Sequence, residues 1–119
     1  HDTVEDGSDF LQHDLNRVLG LLCPDQTRFP PADGYSYPGS RHFEEVESWP
    51  SAKEYLPGGD RSALLNADAH LKASIVGSSQ VFPLIDGELG FGVTGYIFFV
   101  DWDRDRPRTR TCRVTIIGE

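Results

Sequence analysis

The sequence lacks several features that would place it in a well-marked class. Its 119 residues contain no methionine and only two cysteines, and no apolar run approaches the roughly 18 residues that a membrane span needs. No signal-peptide pattern is present either. Because the initiator residue is missing, we expect a chain that was processed after secretion or trimmed at its start.

Basic residues are also few. The chain has 11 Lys and Arg against 19 Asp and Glu, for a net charge of -8. Because phosphate-tracking proteins usually carry a basic stripe, we expect weak or no RNA binding and no association with membranes. A hydrophobic content of 38% is enough for a folded core. The length fits a single domain over residues 1–119, with residues 1–7 frayed.

The two cysteines, Cys23 and Cys112, lie near opposite ends of the chain. They are either unrelated buried thiols or a disulfide formed in an oxidising compartment. A bridge would close a long loop and contribute on the order of 4 kcal/mol in the chain-entropy model. We favour the bridge.

The hydrophobic pattern predicts an α+β fold. Leu11, Leu15, Val18 and Leu22 recur at helical spacing before Pro24, which predicts one helix over about residues 9–22. Alternation and turn residues predict strands after it. These are an edge strand at 42–49, a hairpin of 62–65 with 71–76, a second hairpin of 81–85 with 91–102 turning at Asp86-Gly87, and a closing strand at 109–117. We therefore predict one N-terminal helix packed on a twisted antiparallel sheet of about five strands.

A run of arginines alternates with aspartates near the C-terminus. The members are Arg104, Arg106, Arg108 and Arg110. In an extended chain alternate positions share a face, so these arginines would form a cationic ridge suited to phosphate or an acidic partner. The alternative is a solvated hairpin tip in which neighbouring aspartates neutralise them. No CxxC, HExxH, GxSxG or phosphate-cradling glycine motif is present, and we predict neither a metal nor a cofactor.

An ordered series of short motifs resembles the small secreted fungal guanyl-specific ribonucleases. The series is Tyr37-Pro38, Phe43-Glu44-Glu45, Trp49-Pro50, Gly58-Gly59-Asp60-Arg61, Leu65-Asn66 and Leu71 to Gly77. Those enzymes carry a Tyr-Pro-His segment, a Glu before Trp-Pro or Phe-Pro, a Gly-Ala-Asp-Arg segment and a strand that ends in a catalytic His. The resemblance implies a microbial ribonuclease-like fold whose ends are tied by a disulfide.

The catalytic positions of that family are mostly replaced. Gly39 stands in place of the first His, Ser48 in place of the Glu and Gly77 in place of the second His, and only Arg61 matches. Proton transfer would have no agent, so we predict a pseudoenzyme. Such a shell is similar to the catalytically dead ribonuclease-like effectors of powdery mildew fungi.

That resemblance implies a secreted virulence or avirulence protein of a fungal pathogen. It would be a monomer that enters the host cytoplasm, binds a host protein or RNA, and is recognised by an intracellular plant immune receptor. The candidate binding residues are Tyr35, Tyr55, Arg61, Trp102 and the arginine ridge.

Two alternatives stay open. One is an active secreted ribonuclease with relocated groups, in which Glu47 is the base, Arg61 the phosphate clamp, and His42 or His70 the acid. The other is a different helix-on-sheet protein, such as a cystatin-like inhibitor or a ligand carrier.

Overall fold

A computed structural model describes residues 10–92, 95–104 and 107–119 of the chain. Most of its regular structure is helical. The helices are α1 (Phe10–Leu22), α2 (Ser40–Ser48), α3 (Ala52–Tyr55) and α4 (Ala67–Val76), with short 3-10 segments at Pro57–Gly59 and Arg61–Leu64. The strands are β1 (Leu84–Ile85) and β2 (Glu88–Leu89).

The prediction of a five-stranded sheet behind one helix is wrong. The described residues hold a single two-stranded antiparallel sheet, in which Leu84 pairs with Leu89 and Ile85 with Glu88. The turn at Asp86-Gly87 is confirmed, and both residues have positive φ, 51° and 82°, as tight hairpin turns require. The described parts of the predicted strands at 91–102 and 109–117 form no regular element.

Helix α1 is confirmed at Phe10–Leu22, but its buried face differs from the predicted one. Leu15, Val18 and Leu22 are exposed, whereas Leu19 and Cys23 are buried. The N–H of Cys23 donates to the Leu19 carbonyl at 2.8 Å and continues the helical bonding for one residue before Pro24. The buried face of α1 is therefore a narrow line at its C-terminal end.

The segment predicted as an edge strand at 42–49 forms helix α2. Phe43 and Val46 lie three positions apart, so both side chains fall on the same face of the helix. That face is buried together with Leu56 and Leu64. These four side chains form an apolar cluster that fixes α2, α3 and the 3-10 segment Arg61–Leu64 against each other.

The hairpin predicted over 62–65 and 71–76 is wrong: its first strand lies mostly in the 3-10 segment Arg61–Leu64, and its second lies in helix α4. The buried residues of α4 are Ala67, Asp68, Ala69 and Lys72. The apolar Leu71, Ile75 and Val76 are exposed. Three alanines and a lysine favour a helix, while the buried face carries two charges that need partners.

The predicted disulfide is wrong, because both cysteines are free thiols. Cys23 is buried at the end of α1, whereas Cys112 lies in an exposed C-terminal segment. No described residue after Lys72 is buried. The large apolar side chains between Val81 and Ile117 are mostly exposed, so the core lies in the helical part. None of the helices in the described ranges is long and apolar enough to span a bilayer.

Candidate functional site

The first turn of α4 carries a fully buried carboxylate. Asp68 has a relative exposure of 0%. Its Oδ1 accepts a hydrogen bond from the Gln26 backbone N–H at 3.1 Å, and its Oδ2 accepts one from Arg104 Nη2 at 3.2 Å. A buried carboxylate is stable only when it is paired in this way. Asp68 therefore joins α4 to the loop after α1 and to the segment that contains Arg104.

Gln26 reinforces the same junction with its side chain. Its Nε2 donates to the Tyr37 carbonyl at 2.6 Å, and its Oε1 accepts from the Ala67 N–H at 2.9 Å. Ala67 opens α4, where backbone N–H groups have no partner within the helix. Buried Gln26 thus caps α4 from a loop that is 41 residues away in sequence.

Lys72 lies one helical turn after Asp68 and is also buried. Its side chain is 10% exposed. Its Nζ lies 3.7 Å from Asp68 Oδ2 and 3.5 Å from Asp25 Oδ1. Both distances exceed the usual hydrogen-bond range for N–H to O. The ammonium group is therefore balanced electrostatically by the two carboxylates, and neither takes up its donors at hydrogen-bonding distance.

A pocket of about 560 Å³ opens beside Lys72. Its lining residues are Asn16, Gly20, Pro24, Asp25, Lys72, Trp102 and Arg104. Arg104 Nη1 lies 3.5 Å from Asp25 Oδ2, so the pocket wall carries two cations and one carboxylate. Trp102 adds an aromatic surface. We call this cavity the Lys72 pocket.

A second polar group lies where α4 begins. Asn66 Nδ2 donates to Asp103 Oδ2 at 2.9 Å, and Arg108 Nη2 lies 2.7 Å from the same oxygen. That ion pair is close but poorly directed, since Arg108 Nη2 and Nε have no hydrogen-bond partner, and neither has Asn66 Oδ1. The Asn66 side chain makes no cap bond to α4, and the Ala67 N–H is taken by Gln26. The Asn66 contact holds the segment 101–104 against the helix.

Tyr37 contacts two histidines, His42 and His70. Its hydroxyl lies 2.9 Å from His42 Nε2, and its ring packs against the rings of His42 and His70 at 4.9 and 5.2 Å between centroids. Burial, together with the charge of Asp103, raises the pKa of the Tyr37 phenol above 10.0. The hydroxyl is therefore a neutral hydrogen-bonding group at ordinary pH.

The positions that the ribonuclease resemblance singled out do not converge. Gly39 precedes α2 and Ser48 ends it, so they lie at opposite ends of that helix. Gly77 ends α4 with a φ of 84°, a conformation that favours glycine. Arg61 Nε and Nη2 donate to Glu47 at 2.6 and 2.9 Å.

The Glu47–Arg61 pair supports the fold. The Arg61 guanidinium also lies 5.0 Å from the centroid of the Phe43 ring, which it covers. Its hydrogen bond lowers the pKa of the Glu47 carboxyl. In the relocated-enzyme alternative these residues would act with His42 or His70, but both histidines are placed around Tyr37.

Two of the predicted binding aromatics have structural contacts. The Tyr35 hydroxyl donates to the Pro24 carbonyl, and desolvation raises the pKa of that phenol. Tyr55 packs edge-on against Trp49 at 5.2 Å between ring centroids. Trp102, by contrast, lines the Lys72 pocket.

The arginines of the predicted ridge face different carboxylates. Arg104 meets Asp25 and Asp68. Arg108 meets Asp103, and Arg110 Nε and Nη2 donate to Asp101 at 2.8 and 3.1 Å. Arg106 lies outside the described residues.

Sequence reasoning missed Asp25, Gln26, Asp68 and Lys72. Asp68 and Lys72 are four residues apart, the spacing that places opposite charges on one face of a helix. That signal was available once 67–76 is taken as a helix. Gln26 had no sequence signal, because its partners are distant along the chain. In the described ranges no group of three or more His, Cys, Asp or Glu side chains is arranged to hold a metal ion.

The architecture is thus a small helical unit with a charged pocket, followed by an extended and exposed C-terminal part. A family model described as UPF0047 protein YjbQ-like matches residues 3–119. The chain therefore belongs to the YjbQ-like UPF0047 family.

Curated relatives from bacteria and archaea support that assignment. The chain is 37% identical over 78 residues to the UPF0047 protein YugU of Bacillus subtilis, which covers 66% of this chain and 53% of YugU. It is 43% identical over 54 residues to a UPF0047 protein of Methanothermobacter thermautotrophicus, covering 45% and 36%. A UPF0047 protein of Archaeoglobus fulgidus is 49% identical over 45 residues, covering 38% and 34%. The chain thus spans between about a third and a half of the length of these relatives. No solved structure matches it.

The family assignment overturns the resemblance to fungal ribonucleases. The interpretation as a ribonuclease-like effector of a plant pathogen is wrong, and so is the alternative of a ribonuclease with relocated groups. The alternative of a different helix-on-sheet protein is wrong because the described residues hold only a two-stranded sheet. The shared motifs were short, and their order along the chain was not enough to define a family. Several expectations stay predictions. These are that the chain has no catalytic activity, is a monomer, is secreted, binds RNA weakly or not at all, and does not associate with membranes.

Proposed function

We propose that this chain binds a small anionic molecule in the Lys72 pocket. The observation that carries the proposal is the placement of Lys72. A buried ammonium on a helix face, beside a second cation, lines an open cavity while its two carboxylate neighbours stay at 3.5 and 3.7 Å. An oxyanion that enters the cavity would find donors at hand.

The surroundings favour an anion that is held by local charge. The chain as a whole carries a net charge of -8, which repels anions at long range. Capture must therefore depend on the nearby pair of Lys72 and Arg104. Ion pairs in a partly desolvated pocket are stronger than those on an open surface, because screening by water is weaker.

Trp102 and Asn16 suggest the rest of the ligand. Both line the pocket. An indole offers a flat apolar face, and an amide offers both a donor and an acceptor. The ligand we propose is a small molecule with one oxyanion group and a flat or ring-shaped remainder, which is the usual mixture in pockets that bind small molecules.

The test is calorimetric titration at low ionic strength with inorganic phosphate, pyrophosphate and an aromatic carboxylate such as benzoate. We expect saturable binding of at least one of these anions. Lys72→Gln should weaken it roughly tenfold or more. Lys53→Gln is the matched control. Lys53 lies on α3 with an exposed side chain, so the substitution removes the same charge at a position away from the pocket.

A second variant tests the other cation of the pocket. Arg104→Gln removes the other cation and should also weaken the anion. If the wild-type chain binds none of the three anions, or if Lys53→Gln weakens them as much as Lys72→Gln, the proposal is wrong. Thermal unfolding of each variant shows whether a lost affinity reflects a lost fold.

A further inference from the structure

The Lys72 pocket already contains one carboxylate in the position that suits a ligand. Resting on the proposed function, we infer that the ligand's anionic group is an oxyanion that replaces Asp25 between Lys72 and Arg104. Asp25 then lowers the affinity of every anion that enters by the same factor. A phosphate group, with more charge and more oxygens than one carboxylate, displaces it.

Asp25 bridges the two cations with one oxygen each. Its Oδ1 lies 3.5 Å from Lys72 Nζ, and its Oδ2 lies 3.5 Å from Arg104 Nη1. A bridging oxyanion needs two oxygens on one central atom, which carboxylate, phosphate and sulfate all have. Both distances are longer than a good charge-assisted hydrogen bond of roughly 2.7 to 2.9 Å. Asp25 therefore bridges the two cations, but at distances too long for strong hydrogen bonds.

Asp25 and Asp68 face the same two cations and differ in how firmly they are held. Asp68 is 0% exposed and also accepts the Gln26 N–H. The side chain of Asp25 is 55% exposed and belongs to the loop after α1. Displacing Asp68 would strand a buried charge, whereas Asp25 can turn into water at little cost. Asp25 is consequently the displaceable partner.

The two carboxylates therefore have different roles in binding. Asp68 fixes the positions of Lys72 and Arg104 from the buried side. Asp25 lies on the exposed side and competes with the ligand for the same donors. A dianionic phosphate carries more charge than one carboxylate and offers more oxygens, so it wins that competition more readily than a carboxylate ligand does.

The experiment is titration of the full chain with inorganic pyrophosphate and with succinate, at neutral pH and low, constant chloride. We compare the wild type with Asp25→Asn and Asp25→Ser. The matched control is Asp14→Asn. Asp14 is an exposed acid on α1 that pairs with Arg17, so its replacement changes the net charge by the same amount.

Removing the competitor should tighten the binding of both anions. We expect roughly a threefold to tenfold gain for Asp25→Asn and Asp25→Ser, because each ion pair of this exposed kind is worth a small factor. Succinate and pyrophosphate should gain by similar factors, because both must displace the same carboxylate. Asp14→Asn should change either affinity less than twofold.

The failure of this inference differs from the failure of the proposed function. If the wild type binds pyrophosphate and the Asp25 variants bind it equally or more weakly, Asp25 is not a competitor and the inference is overturned, while the pocket stands. If the wild type and the variants all fail to bind, the proposed function is overturned and the inference falls with it. Equal gains in Asp14→Asn would reduce the effect to net charge and overturn the inference.

Discussion

The backbone N–H of Gln26 donates to the carboxylate of Asp68 at 3.1 Å, across a separation of 42 residues. The bond is buried, and it ties the loop after α1 to the first turn of α4. Arg104 and Lys72 share the same carboxylate. A single side chain is therefore the common partner of three separate parts of the chain.

Replacing Asp68 should cost more than replacing any exposed acid. Asp68→Ala leaves the Gln26 N–H unpaired and removes the neutralising charge beside buried Lys72. We expect the free energy of unfolding to fall by about 3 kcal/mol. Urea titration followed by circular dichroism measures it. Asp14→Ala should shift the free energy of unfolding by less than about 1 kcal/mol, and equal losses in the two variants would contradict the role given to Asp68.

Gly20 allows the pocket to be narrowed without disturbing the fold. It lies within α1 and lines the pocket, and a Cβ placed there meets no atom within 4 Å outside the neighbouring backbone of α1. Gly20→Ala should therefore stabilise α1 by about 0.5 to 1 kcal/mol. Gly20→Leu should weaken anion binding by occupying the cavity. The two measurements are thermal unfolding and the pyrophosphate titration, and unchanged affinity in Gly20→Leu would place the ligand elsewhere.

Asp33 gives the fold a pH dependence of known sign. Its carboxylate accepts the Thr27 and Arg28 N–H groups at 2.7 and 2.8 Å. The Thr27 bond and the bonds and charge of Arg28 lower the pKa of Asp33 from 3.8 to about 2. Because the folded pKa is depressed, the stabilisation is complete above about pH 5 and disappears as the pH falls from about 4 to about 2.

Asp33→Asn should therefore lower the unfolding temperature at neutral pH. The difference from the wild type should shrink through that acid window and vanish below about pH 2. Thermal unfolding at a series of pH values tests this. A difference that is the same at neutral pH and near pH 2 would mean that the ionised carboxylate has no special role.

The two free thiols can be counted by chemical modification. Cys112 is exposed and Cys23 is buried. A thiol reagent such as DTNB should modify one thiol rapidly in the native protein and a second only in denaturant. If no thiol reacts until a reductant is added, the two cysteines are bridged and the prediction of two free thiols is wrong.

The part of the fold that sequence could predict is the part governed by local signals. Helix α1 followed from leucine spacing and Pro24, and the hairpin turn followed from Asp86-Gly87. Helix α4 could not be obtained in this way, because its buried face carries Asp68 and Lys72 while its large apolar residues face outward. Hydrophobic periodicity assumes the opposite arrangement.

The site was hidden for a related reason. Its polar residues owe their burial to partners that lie far along the chain, such as Gln26 for Asp68 and Asp103 for Asn66. Spacing within one segment carries no record of such pairs. Trp102 and Arg104 were singled out from the sequence, but for an exposed surface, and the structure places them at a cavity.

The Gln26 amide has a further use that follows from its unusual acceptor. Most protected backbone amides are held by helix or sheet partners, and their hydrogen exchange reports fraying of those elements. This amide is held by a side chain of another helix. Its exchange with deuterium oxide therefore measures how often the loop separates from α4. The exchange rate of this one amide proton therefore reports how often the pocket opens. An anion bound between Lys72 and Arg104 would lower that rate.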